Sequence, residues 1–125
     1  MTSVEGGPVV WVIDSDQWPR ALLRAELIER GYDAIGFTSV AEAITRLALD
    51  RRRRPRLVLV ALAGQELTRT GVALLSAGGV PVIGVAGEVQ VASAPEHLGL
   101  TALIRRPVSL GEIAEAVEQV APRMP

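Results

Sequence analysis

Apolar residues in this chain fall in short continuous runs, each fenced by glycine, proline or charge. The longest is Leu57–Ala63, LVLVALA, with Pro55 and a run of arginines before it and Gly64 behind. An apolar run of that length between breakers predicts a strand buried on both faces, the central position of a parallel sheet. Pro8–Ile13 (PVVWVI) predicts a second buried strand. Tyr32–Phe37 (YDAIGF) carries a polar residue and a glycine, which places it nearer the edge. Pro81–Val85 (PVIGV) and Thr101–Ile104 (TALI) complete a set of five.

Between these runs the period changes from continuous to helical. Asp16 is placed to cap a helix that runs to about Arg30, with Pro19 tolerated in its first turn and Gly31 as its stop. Ser39 and Glu42 form a capping-box pattern ahead of Val40, Ala43, Ile44, Leu47 and Ala48, one helical face. A short helix over Thr70–Ala77 ends at Gly78-Gly79. Between Gly87 and Leu98, Pro95 limits any helix to one or two turns, started by the Ser93–Glu96 pair. Ser109 and Glu112 open the last helix, whose apolar face is Leu110, Ile113, Ala116, Val117 and Val120. Strand and helix alternate five times. The chain therefore predicts a flavodoxin-like (βα)5 domain, a doubly wound parallel sheet of order 2-1-3-4-5. Residues 1–7 read as a flexible lead-in, 8–121 as the domain, and 122–125 as a tail or linker start.

Composition narrows the chemistry. The chain has 125 residues, one ordinary domain, and 49% of them are apolar but only 3% aromatic, so the core is aliphatic. It has no cysteine, which excludes disulfides, thiolate metal sites and cysteine nucleophiles. All thirteen basic residues are arginine, so no mechanism can use a lysine. The net charge of −1 argues against general polyanion binding by the whole surface. The N-terminus reads as no secretory signal, and no apolar run approaches the roughly 20 residues that span a bilayer. A cytoplasmic protein is the expectation. There is no G-x-G-x-x-G, P-loop or G-x-S-x-G pattern.

Four pieces in order resemble the receiver domain of response regulators in bacterial two-component signalling. VIDSD resembles the acidic end of that family's first strand, and PRLVLVALA the third strand, which carries the phosphoacceptor aspartate. PVIGVAG resembles its fourth strand, and HLGLTALIRRPVSLGEI the run through its fifth strand and last helix. The resemblance covers Val9–Val120. It implies Mg²⁺-dependent phosphorylation of one aspartate, with two acids on the metal, a lysine on the phosphoryl group, a hydroxyl on the fourth strand and an aromatic switch on the fifth. Hard oxygen ligands suit that cation, and metal plus lysine neutralise the phosphoryl charge.

Placed on those positions, this chain departs from the pattern. The acidic pair falls on Asp14 and Ser15, with Asp16 adjacent. The phosphoacceptor position falls on Ala61, and no aspartate follows Asp50 anywhere. The hydroxyl position falls on Ala86, the lysine on Arg106 and the aromatic on Leu103. Gly99 and Pro107 match, and the resemblance implies a cis Arg106–Pro107 peptide. The expectation is a pseudo-receiver: not an enzyme, with no cofactor and no metal, whose emptied pocket is outlined by Asp14, Ser15, Asp16, Ala61, Ala86 and Arg106. Two acids without a third make a poor Mg²⁺ site, even with Glu66 in the following loop. Arg106 is expected to pair with Asp14 or Asp16 and fill the pocket. Trp18 is read as a lid over it or as part of a contact surface, Trp11 as core and His97 as a surface residue.

Two surfaces stand out. Leu98, Leu100, Leu103 and Arg105 lie where receiver domains present a docking face, so another protein or a second copy is the expected partner. Arg51, Arg52, Arg53, Arg54 and Arg56 form a basic patch. Its first explanation is the negative end of the preceding helix dipole, and the absence of interleaved aromatics argues against single-stranded nucleic acid. The alternative function is a ligand-responsive module whose emptied pocket takes a small anion or metabolite.

Overall fold

A computed structural model of the chain describes residues 7–87 and 98–123. Five strands make one parallel sheet: β1 (Val9–Ile13), β2 (Asp33–Phe37), β3 (Leu57–Ala61), β4 (Val82–Ala86) and β5 (Ala102–Arg105), in spatial order β2-β1-β3-β4-β5. This is the predicted flavodoxin-like order. The described helices are α1 (Gln17–Glu29), α2 (Val40–Leu49), α3 (Arg69–Ser76) and α4 (Leu110–Val120). The expected Ser93–Glu96 turn and His97 lie outside the described residues, as do 1–6 of the lead-in and the last two residues of the tail.

The strand runs are continuous because both faces of the sheet are covered. Along β1 and β3, alternate side chains enter different layers. Val10, Val12, Leu57 and Leu59 pack with Leu23 and Leu27 of α1 and Ile113 and Val117 of α4. Trp11, Ile13, Val58 and Val60 pack with Val40, Ala43 and Leu47 of α2 and Val72 and Leu75 of α3. Trp11 is 2% exposed and stacks obliquely on Phe37, with ring centroids 4.6 Å apart.

Several boundaries shift by one or two residues. The central strand ends at Ala61 rather than Ala63, because the Leu62 N–H still reaches Val85 O while Gly64 turns the chain at φ +75°. The caps set the helix starts. Asp16 accepts the Trp18 N–H, Thr68 the Gly71 N–H, and Ser109 with Glu112 closes a full capping box. The expected box at α2 is only half formed. Ser39 Oγ accepts the Glu42 N–H, but the Glu42 carboxylate reaches one residue further back, to the Thr38 N–H at 2.7 Å.

Candidate functional site

The strands point their carboxyl ends at one rim, and the helices after them open there. The predicted pocket residues sit on that rim. Asp14 follows β1, Ala61 ends β3, Ala86 ends β4 and Arg106 follows β5. Asp14, Ala61 and Arg106 line one cavity of about 60 Å³, with Leu23, Leu59 and Val85 among its apolar walls. Ser15, Asp16 and Ala86 are not part of that lining. Asp16 is occupied as the α1 cap, and Ala86 is buried, its carbonyl accepting the Arg106 N–H at 2.8 Å.

Several polar groups near the rim are engaged within the chain. Asp14 Oδ1 accepts the Asp16 N–H at 2.9 Å. The Asp14 carbonyl accepts from Arg20 Nη1 at 2.7 Å. The Ser15 hydroxyl, where the resemblance puts a second acid, donates to Ala63 O at 3.4 Å. A Cβ on Gly64 would stand 2.8 Å from Ser15 Oγ, so glycine is what allows this approach of the two loops. Gln65 pins the loop after β3 from the other side. Its amide donates to Thr38 O at 3.0 Å and accepts the Val40 N–H at 3.1 Å.

Two expectations change. No ion pair joins Arg106 to Asp14 or Asp16 among the described residues. The Arg106 side chain is exposed, and Arg20, one turn into α1, is the arginine that holds the Asp14 loop. Trp18 is no lid: it is 70% exposed and absent from the cavity wall, which its neighbour Pro19 joins instead, and of its two readings only the contact surface is left. Among the described residues no three His, Cys, Asp or Glu side chains gather at one point. Arg20 and Gln65 were not legible as site residues, since nothing in their spacing names a backbone partner on another element. Gly36 is the one trace of the first: the methylenes of Arg20 and Arg24 lie 3.0–3.3 Å from where its Cβ would be.

The two surfaces lie apart. Leu98, Leu100 and Leu103 are half-buried against the α2–α3 layer, and the leucine tips of 100 and 103 cover Gly84 at 3.0 and 3.2 Å from its notional Cβ. Arg105, next to them, is exposed. The arginine run sits at the opposite pole, at the amino ends of the strands. There Arg53 pairs with Asp50 at 3.5 Å, and Arg54 Nη1 donates to Ala77 O beyond α3 at 3.2 Å, so part of the run does meet helix C-termini. The Arg106–Pro107 peptide is cis.

Comparison with solved structures agrees with this geometry. The chain superposes on a response regulator receiver protein from Burkholderia phymatum with a TM-score of 0.77 and 26% identity, over 91% of this chain and 94% of that one. The fold is that of a receiver domain. A receiver protein from Pseudomonas putida matches at TM-score 0.71 and 29% identity, covering 91% of this chain and 98% of its own. The receiver domain of a modulated diguanylate cyclase from Desulfovibrio desulfuricans matches at TM-score 0.69 and 27% identity, covering 91% and 93%. No protein-family model matches the chain, and no curated protein does. No described helix of this receiver fold is long and apolar enough to cross a membrane.

Proposed function

We propose that the chain is a non-phosphorylatable pseudo-receiver that acts in bacterial signalling by binding another protein. One observation carries the reading: the rim position of the phosphoacceptor is Ala61, and the neighbouring acid position is Ser15, whose hydroxyl is spent on Ala63 O. Phosphoryl transfer needs a carboxylate nucleophile and charge neutralisation at the same point. At those two positions a methyl group and a hydroxyl bonded to backbone supply neither. The loops after β1 and β3 are tied within the chain by Ser15, Arg20 and Gln65. The docking face in this reading is the β5 edge, with Arg105 exposed on it beside Leu98, Leu100 and Leu103. Location in the cytoplasm goes with this role.

The test is incubation of the whole chain with acetyl phosphate and Mg²⁺, followed by intact mass measurement. No phosphoryl adduct is expected, on the chain itself or on Ser15→Asp, whereas an aspartyl-phosphate on Asp14 or Asp16 overturns the reading. Affinity capture with wild type beside Arg105→Glu tests the docking face; this exposed charge can be reversed without disturbing the leucines over Gly84.

A second reading has a specific observation behind it. Among the described residues the Arg106 side chain has no ion pair, and the cavity it lines is open rather than filled by one, which favours a small anion at the rim. The size decides how far this goes. A void of about 60 Å³ is the liquid share of about two waters, at roughly 30 Å³ each. Pockets for metabolites run to about 300–1,000 Å³. Inorganic phosphate or acetate is therefore the probe for this reading. A rise in melting temperature abolished by Arg106→Ala supports it.

A further inference from the structure

The arginine pole is more than a pair of helix caps. Arg53 and Arg54 have partners, but Arg51, Arg52 and Arg56, all exposed, make no ion pair or side-chain hydrogen bond among the described residues. Five of thirteen arginines lie within six residues, while the other eight share the rest of the chain with fourteen acids. A chain of net charge −1 thus carries one strongly basic pole on an otherwise acidic body. Beside the pole runs a groove of about 210 Å³ between α2 and α3, walled by Ile44, Leu47, Leu74 and Ala77 and closed at its end by Arg51 and Arg54. Leu74 is 48% exposed on its wall, and Leu49, the last residue of α2, is 79% exposed. Exposed leucines next to unpartnered guanidinium groups have no role in the sheet or in the rim site.

We infer that this groove and pole bind an amphipathic segment of a partner protein, apolar side chains in the α2–α3 groove and carboxylates on Arg51 and Arg52. The inference rests on the protein-binding reading above but names a different surface and the chemistry of its occupant. The groove asks for apolar anchors at i, i+3 and i+4, the pattern of a helix laid between two helices. The arginine end asks for acids on one side of that helix, which would steer encounter and fix its direction. Nucleic acid satisfies the arginines but leaves the leucines bare, and no aromatic stands among the arginines to stack a base. The acidic remainder of the chain would also repel a long polyanion.

The experiment is selection of a random 16-residue peptide display library against the whole chain, then titration of the enriched peptides into isotope-labelled protein. The expected result is enrichment of peptides pairing Leu, Ile or Phe at helical spacing with Asp and Glu. Their chemical-shift changes should fall on residues 44–54 and 74–79. Affinity should fall about tenfold in Arg51→Glu/Arg52→Glu, the size of a few reversed charge contacts, and again at about 1 M salt, where charges beyond about 3 Å are screened. Leu74→Ser should weaken binding without loss of fold, since it alters an exposed side chain. Selection of acidic peptides without apolar anchors, or binding indifferent to both variants, overturns the inference. So does tighter binding of duplex DNA than of any peptide, or self-association that the double variant abolishes. Shifts confined to residues 98–106 also overturn it while leaving the protein-docking reading intact; no enrichment of any peptide counts against both.

Discussion

Replacing Tyr32 by Phe removes one oxygen from the centre of the α1–α4 layer. The Tyr32 side chain is fully buried, and its hydroxyl donates to the carbonyl of Ala121 at 2.7 Å. Ala121 is itself 3% exposed and is the C-cap of α4. The bond therefore ties the entrance of β2 to the exit of the last helix, 89 residues away. Without the hydroxyl, that carbonyl faces a ring edge with no donor, and a buried acceptor left unmet costs about 1–3 kcal/mol. With a urea slope of about 2 kcal/mol per molar, a loss of about 2 kcal/mol lowers the midpoint by about 1 M. Trp11 fluorescence in a Trp18→Phe background reads the transition, because Trp11 is 2% exposed in the fold. The same hydroxyl adds a pH signature. Burial, then the Glu118 charge, push the phenol above its ordinary value of 10.0. The folded state then keeps a proton that the unfolded chain loses, so the stabilisation is complete below pH 10 and is lost as pH rises beyond it. Wild type should weaken above that pH more steeply than Tyr32→Phe. A midpoint shift under about 0.2 M, or identical alkaline slopes, would refute the account of this bond.

Other consequences follow from the same geometry. Glu112→Gln should flatten the acid limb of stability: hydrogen bonds from the Ser109 backbone and side chain hold its carboxyl below the ordinary 4.5, so its contribution is present above that pH and disappears as pH falls through the lowered value, measured by urea denaturation across the acid range. Gly64→Ala should cost about 1–2 kcal/mol, since it puts a Cβ at φ +75° and 2.8 Å from Ser15 Oγ; adding Ser15→Ala should return the steric part, visible in a double-mutant cycle. Gly84→Val should cost about 1–3 kcal/mol by overpacking, because the tips of Leu100 and Leu103 already occupy the space, and hydrogen exchange should rise first in β5.

Much of the fold was legible because both faces of the sheet are covered. Burial on both sides turns each inner strand into an unbroken apolar run, and helix ends announce themselves through Asp16, Ser39, Ser109 and the glycines behind them. The order 2-1-3-4-5 follows from alternation and from the weaker patterning of Asp33–Phe37 at an edge. The half-formed box at Ser39 was not legible, since a glutamate can reach either the cap or the residue before it.

At the rim the sequence determined what is missing. The absence of any aspartate beyond Asp50 and of any lysine is read from the sequence alone, and with the resemblance it motivates the pseudo-receiver reading proposed above. Which side chains tie the loops beside the rim was decided only by tertiary structure. Arg106 stands nearest in sequence logic, yet its side chain stays exposed, while Arg20 crosses from α1 to the Asp14 carbonyl and Gln65 bridges two backbone groups of the β2–α2 junction. The pairing of the arginine pole with a leucine-walled groove is of the same kind, since Arg54 and Leu74 become neighbours only when α2 and α3 pack side by side. Local pattern fixes which residues turn inward. The partner of a long flexible side chain is set by what the packed helices bring within its reach, and that distance is written nowhere in the spacing of the chain.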